Sequence, residues 1–152
     1  MAKELRSIEL EQPAEPQPQE KNLDGPEVLA RAEALISTLK EDFLIWLATE
    51  LEAIQIIQDR WKEDGVDDNG CAYILRTLHD LKAQSVTFGY PVISHLSASL
   101  QDHLLEASKE SPTFSTLVDI HISAIRSSTA TAFLKIDGPH AKRLAKQLME
   151  KE

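Results

Sequence analysis

Residues 71–91 read CAYILRTLHDLKAQSVTFGYP and contain the clearest structural signal in the chain. Apolar side chains recur mostly at intervals of three and four residues, which predicts an amphipathic helix over about residues 70–88. The predicted buried face of this helix consists of Cys71, Ile74, Leu78, Leu81 and Phe88. Gly89 suits the left-handed position after a helix, and Pro91 favours the first turn of the next one. The stretch therefore predicts two helices separated by a tight break.

The segment before this stretch predicts a longer helix. Asp24-Gly25-Pro26-Glu27 is typical of a helix start, and no further Gly or Pro occurs before Gly65. A bend near Lys40–Asp42 would divide the helix into a short helix and a bundle helix, and residues 64–70 form the turn that follows. The predicted buried positions are Leu29, Ala32, Leu35 or Ile36, Leu39, Phe43, Leu47, Leu51, Ile54 and Trp61.

The segment after this stretch predicts three more helices. The first begins at Pro91, with an inner face of Val92, Ile93, Leu96, Leu100 and Leu104. The next begins at Ser111-Pro112, with Phe114, Leu117, Val118, His121, Ala124, Ile125 and Ala132. A short last helix follows Asp137-Gly138-Pro139, with Ala141, Leu144, Ala145 and Leu148. We predict an all-α chain, namely an up-down antiparallel four-helix bundle with an additional N-terminal helical segment and a short C-terminal helix.

Composition divides the 152 residues into a tail and one domain. Residues 1–25 are rich in Pro, Gln and Glu and predict a disordered tail, whereas residues 26–152 form the predicted helical domain. No run of eighteen apolar residues predicts a membrane span. The first residues lack the apolar core of a secretory signal, so we expect a cytoplasmic protein.

Charge and motif content exclude several classes of function. The net charge of −9 at pH 7 disfavours nucleic acid as a partner, because a phosphate backbone requires a basic face. The single cysteine, Cys71, rules out an internal disulfide and a cysteine zinc cage. The chain has no Gly-rich phosphate loop and no Glu-x-x-His pair, so we expect no metal site and no cofactor of its own.

Of the five histidines, His79 is the candidate for chemistry. His121 lies on a predicted apolar stripe and is expected to be a hydrogen-bonded core residue, whereas the spacing of His95 and His103 is too long for one metal. His79 lies off the buried stripe and shares its helix face with Arg76 and Lys82. Cations beside an imidazole favour its neutral, nucleophilic form and suit a phosphoryl group. Spacing alone favours the simpler interpretation, a solvated helix face with scattered charges.

Residues 78–91 closely resemble the core motif of histidine-containing phosphotransfer (HPt) domains, above all the stand-alone HPt proteins of alphaproteobacteria. In that family a helix carries His-x-x-Lys-Gly, and a Phe-Gly or similar break follows about ten residues after the histidine. Weaker matches extend over most of residues 40–150, at Phe43 and Trp46, at residues 120–126 and at Asp137-Gly138. The matching residues of the core motif are His79, Asp80, Leu81, Lys82, Gln84, Thr87, Phe88, Gly89, Tyr90 and Pro91.

The resemblance implies a phosphorelay role. His79 would accept a phosphoryl group from the aspartate of a response-regulator receiver domain and pass it to another receiver. Lys82 would stabilise the phosphoryl oxygens, with Arg76 as a supporting cation. Mg²⁺ would come with the receiver, a hybrid histidine kinase is a further candidate partner, and the chain is expected to be a monomer. The receiver would dock on a patch that contains Leu75, Ala83, Gln84 and Val86.

One departure from the family pattern leaves alternatives open. Ala83, Ser85 and Val86 stand where the family or this subgroup has glycines. Small residues at such positions let a receiver approach the helix closely, so these side chains would narrow the choice of partner. An HPt-like module that binds a receiver or histidine kinase without transfer is the main alternative. An unrelated helical metal-binding or scaffold protein is the third.

Overall fold

A computed structural model describes residues 25–150, in which every regular element is an α-helix. The helices are α1 (Gly25–Asp64), α2 (Asp68–Thr87), α3 (Pro91–Glu106), α4 (Pro112–Leu134) and α5 (Pro139–Glu150). The all-α prediction is confirmed for this range. The predicted disordered tail lies, apart from Gly25, outside the described residues. Within them, no helix combines the length and apolar character that crossing a membrane requires.

The chain divides into two units, Met1–Thr38 and Leu39–Glu152. In the described part of the first unit, the first turns of α1 expose apolar side chains, with Leu29 59%, Leu35 60% and Ile36 50% exposed. The prediction that these residues are buried is therefore wrong. Their spacing specifies an apolar helix face, but spacing does not reveal whether another part of the chain covers that face. Ala32 and Leu39, predicted on the same face, are exposed as well.

The second unit contains the hydrophobic core, and within it the buried part of α1 begins at Phe43. Helix α2 packs on α3, α3 on α4, and α4 on α5. Helix α1 joins them through side chains: the Trp61 ring lies 6.1 Å from that of Phe114, and Gln58 Nε2 donates to Asp119 Oδ1 at 2.8 Å. The fully buried large side chains are Leu44, Leu47, Leu51, Ile54, Ile74, Leu78, Leu81, Ile93, Leu100, Ile122, Ile125 and Phe133.

Several details of the predicted helices need correction. Val92, predicted on the inner face of α3, is 59% exposed and lines an open groove, whereas its neighbour Ile93 is 2% exposed. A helix turns by about 100° per residue, so these adjacent side chains point in different directions. Some residues predicted on buried faces are only half-buried, although most of them pack against the core: Cys71, Phe88, Leu96, Leu117, Ala124 and Leu144. Helix α1 continues through residues 40–42, where the sequence analysis allowed for a division into two helices. Residues 40–42 contain no helix breaker, and the nearest Pro or Gly residues on either side are Pro26 and Gly65.

The turn between α1 and α2 is organised by Asp67. Its carboxylate caps α2 by accepting the Gly70 N–H at 3.1 Å, and the same oxygen accepts Trp61 Nε1–H at 2.9 Å. The cap places the start of α2 at Asp68, two residues earlier than the sequence predicted. The hydrogen bond from Trp61 is the main reason why the pKa of Asp67 lies below its ordinary value of 3.8, with smaller contributions from Gly70 N–H and Arg60.

We expect Asp67 to contribute to acid sensitivity. Since its pKa is lower in the folded than in the unfolded chain, its ionised form stabilises the fold above the ordinary pKa of 3.8. This contribution is lost as the pH falls through the folded-state value. Asp67→Asn keeps an acceptor for the cap but removes the charge, so urea unfolding from about pH 6 down to about pH 3 should show a shallower loss of stability than in wild type. Identical pH dependence of the two proteins would contradict the assignment, and Asp64→Asn, at an exposed position, is the control.

The break between α2 and α3 agrees with the prediction. Phe88 is the C-cap of α2, Gly89 adopts a φ of 84°, and α3 begins at Pro91. Tyr90 N–H donates to the carbonyl of Ser85 at 2.7 Å. The Phe43 ring of α1 stacks on Phe88 at 5.2 Å and on Tyr90 at 5.9 Å. These aromatic contacts fix the carboxyl end of the helix that carries His79.

Candidate functional site

His79 lies on the exposed side of α2. Its chain neighbour Leu78 is fully buried, and Leu81 is 1% exposed, so the opposite side of this helix is anchored in the core. The imidazole itself is exposed, and within residues 25–150 it has no hydrogen-bond or ion-pair partner. The helix therefore holds the backbone of His79 firmly while its ring remains accessible to a reactant.

Lys82 lies one turn after His79, on the same side of α2. Its side chain is half-buried and, within the described part of the chain, its ammonium group forms no ion pair. Its backbone carbonyl accepts a hydrogen bond from Ser94 Oγ at 2.8 Å, which ties α2 to α3 at this point. Among the described residues no anion competes for this ammonium, and its predicted role beside His79 stays a prediction.

Arg76 shares the helix face with His79 by spacing, but its guanidinium packs on an aromatic ring. The guanidinium carbon lies 5.4 Å from the ring centre of Tyr73, one turn earlier. Tyr73 in turn donates its phenolic O–H to Glu50 Oε2 of α1 at 2.5 Å. Arg76 is therefore the end of an array that links α1 to α2, a role that the sequence analysis did not anticipate.

The residues predicted to receive a partner divide into two groups. Val86 is 65% exposed and Ala83 is exposed as well, whereas Leu75 and Gln84 are half-buried, with Leu75 packed against the core. Ser85, the third position at which the sequence departs from the glycines of HPt proteins, is fully buried. Of the three substitutions, only those at Ala83 and Val86 can meet a partner.

Of the other histidines, His121 and His103 have hydrogen-bond partners, whereas His95 and His140 are exposed and, like His79, have none among residues 25–150. His121 is half-buried: its Nδ1 donates to the Leu117 carbonyl at 2.8 Å, and its Nε2 lies 3.1 Å from Ser99 Oγ. His121 is therefore hydrogen-bonded as predicted, but it lies at the edge of the core and not within it. His103 is exposed and donates from Nδ1 to the Ser99 carbonyl at 2.7 Å. Among residues 25–150, no three His, Cys, Asp or Glu side chains come together as a possible metal site.

The surroundings of His79 suit a macromolecular reactant better than a small one. An open groove at the start of α3 and the end of α4 is lined by Tyr90, Val92, Thr131 and Lys135, among others, and does not include His79. His79 lies instead on the exposed side of α2, where a small substrate would remain largely in contact with water. Small-molecule sites are typically concave and bury most of their ligand.

Comparison with protein-family models, with curated proteins and with solved structures yields no significant match to this chain. The resemblance to HPt proteins rests on the sequence motif at residues 78–91 and stays a prediction.

Sequence reasoning missed Glu50 and Tyr73. Tyr73 could have been found, because it lies three residues before Arg76 and a helix brings such residues together. Glu50 carried no such signal, since its bond to Tyr73 depends on how α1 and α2 pack.

Proposed function

We propose that this chain is a histidine phosphotransfer protein of a two-component phosphorelay. His79 accepts a phosphoryl group from a receiver-domain aspartate and passes it to the aspartate of another receiver. The observation that carries this proposal is the exposed imidazole of His79 on a core-anchored helix, one turn before the Lys82 ammonium, with no hydrogen-bond or ion-pair partner for either group among residues 25–150. In this proposal α1–α4 form an up-down antiparallel four-helix bundle, and the protein is a cytoplasmic monomer.

The proposed reaction is an in-line displacement. A lone pair on one nitrogen of neutral His79 forms the new P–N bond, while the P–O bond to the receiver aspartate breaks and leaves a carboxylate. The reverse sequence loads the second receiver, so no water and no nucleotide are consumed. Catalysis of this type depends mainly on positioning and on stabilising the charge of the phosphoryl oxygens. Lys82 supplies a positive charge, and the receiver brings Mg²⁺.

Replacing Lys82 tests the charge stabilisation. We expect Lys82→Gln to lower the maximum rate of phosphoryl transfer by about 10- to 100-fold, because a charge-assisted hydrogen bond contributes about 1.5–3 kcal/mol. The measurement is rapid-quench transfer from a phosphorylated receiver at saturating receiver concentration. Lys142→Gln, at an exposed position of α5, is the matched control and should transfer like wild type. An unchanged rate in Lys82→Gln would remove Lys82 from the site.

The proposed function is tested by transfer to the wild-type protein. A panel of receiver domains from the same organism is loaded with labelled phosphate and mixed with the purified full chain. Label should appear on this chain, survive alkali and be lost in acid, as for a phosphohistidine, and peptide mapping should locate it at His79. If receivers bind but none transfers, the proposal is wrong.

A second candidate function is a non-transferring module of the same fold. The specific observation in its favour is the exposure of Val86 and Ala83, since both add side-chain volume on the face where HPt proteins have glycines. Such a module would bind a receiver or kinase with His79 left unmodified. If the wild-type protein does not accept a phosphoryl group, the double variant Ala83→Gly/Val86→Gly tests this second candidate. A non-transferring module predicts that the double variant also fails to accept the phosphoryl group. Restored transfer would show that these two side chains block an otherwise competent site.

A further inference from the structure

Glu50, Tyr73 and Arg76 form a continuous array across α1 and α2. Tyr73 O–H donates to Glu50 at 2.5 Å, and the Arg76 guanidinium lies over the Tyr73 ring at 5.4 Å. The pKa of Tyr73 is raised, chiefly by this hydrogen bond to Glu50. The phenol is therefore protonated at neutral pH, and the bond that anchors the ring is retained.

The N–H groups of the Arg76 guanidinium are not used within this array. Glu50 and Tyr73 are half-buried, whereas Arg76 is exposed and forms no ion pair with any residue of the described range. Stacking on an aromatic ring covers a face of the guanidinium but leaves its N–H edge open. This planar edge matches a carboxylate, to which it can donate two parallel hydrogen bonds. Arg76 precedes His79 by three residues, so their backbone positions lie one helical turn apart, while the guanidinium itself packs toward Tyr73, on the side away from His79.

We infer that Glu50, Tyr73 and Arg76 form a docking element beside His79, in which Arg76 binds an acidic side chain on the surface of the partner receiver. Tyr73 and Glu50 are positioning residues that hold the guanidinium. The inference rests on the proposed function. It assigns Arg76 to recognition of the partner, in place of the supporting role toward the phosphoryl group that the sequence suggested.

The two roles of Arg76 predict different kinetics. A cation that stabilises the transferring group acts in the transition state, so its loss lowers the maximum transfer rate. A residue that binds the partner equally before and during transfer changes the apparent KM for the receiver and leaves the maximum rate intact. The array fits the second role, because stacking restrains the guanidinium at Tyr73 on the α1 side of its helix.

The test is the dependence of the transfer rate on receiver concentration for conservative variants. Arg76→Lys keeps the charge but loses the planar edge, and should raise the apparent KM about 10-fold with a maximum rate within about twofold of wild type. Tyr73→Phe keeps the ring but frees it from Glu50, and should raise KM about threefold. Arg143→Lys, on the exposed surface of α5, is the matched control. Unfolding midpoints of the variants separate these effects from loss of structure.

Each outcome distinguishes the inference from the function on which it rests. A lower maximum rate at unchanged KM in Arg76→Lys overturns the docking element while phosphotransfer stands. An unchanged KM in Tyr73→Phe overturns the positioning role of Tyr73. If the wild-type protein takes no label from any receiver, the proposed function is wrong. The docking element is then tested by calorimetric Kd values of wild type and Arg76→Lys for the same receivers. Weaker binding by Arg76→Lys then supports the docking element, and equal or absent binding overturns it.

Discussion

His79→Gln is expected to abolish phosphoryl transfer, with a fall in rate of at least about 10³-fold. Glutamine is close to histidine in size and polarity, but its amide nitrogen has no available lone pair to attack phosphorus. The loss should be this large because His79 alone forms the covalent bond in the proposed reaction, and no neighbouring group can replace it. The measurement is rapid-quench transfer from a phosphorylated receiver, followed over both short and very long times.

Structural damage would not account for this loss. His79 is exposed and makes no hydrogen bond or ion pair within residues 25–150, so the substitution should change the free energy of unfolding by less than about 0.5 kcal/mol. His95→Gln is the matched control, since His95 is also an exposed helical histidine. It should transfer at the wild-type rate. Residual transfer above about one tenth of wild type in His79→Gln would show that the phosphoryl group resides elsewhere.

The sequence predicted the helices well, because their signals are local. Pro91 and Pro112 begin helices where proline is favoured, and Gly89 takes the left-handed conformation that ends α2. The buried face of α2 followed from the spacing of Ile74 and its neighbours. Each of these signals depends on residues within one or two turns of each other, which a single sequence contains in full.

The errors arise where an outcome depends on distant parts of the chain. Leu35 has the spacing of a buried residue but is 60% exposed, because spacing within one helix does not determine whether its apolar face is covered. The position of His79 on an exposed face could be predicted, because it needs only the helical period. The contact between Arg76 and the Tyr73 ring could be predicted only in part, because the orientation of that ring depends on its hydrogen bond to Glu50 on another helix. The sequence therefore predicts which side chains share a face of one helix, but it does not predict the contacts that a second helix makes with them.

Phe43→Ala is expected to lower the free energy of unfolding by about 3–5 kcal/mol. Phe43 is 4% exposed, and its ring contacts three aromatic residues: Trp46 at 5.9 Å, Phe88 at 5.2 Å and Tyr90 at 5.9 Å. Truncation would remove the buried ring, leave a cavity and lose the aromatic pairings together. A loss of this size is a large part of the stability of a domain of this length. Urea unfolding at neutral pH, with the midpoint and slope fitted separately, is the measurement.

Two variants show whether the loss comes from the aromatic cluster. Phe43→Leu refills much of the space with an apolar side chain, so it should lose less than Phe43→Ala, about 1–2 kcal/mol. Ile56→Ala removes an apolar side chain from the same helix at a position that is 66% exposed, and it should change stability by less than about 0.5 kcal/mol. A loss below about 1 kcal/mol in Phe43→Ala would mean that the cluster does not hold α1 against the α2–α3 break. Because Phe88 and Tyr90 fix the end of the helix that carries His79, the contacts of Phe43 would connect core stability with the geometry of the proposed phosphorylation site.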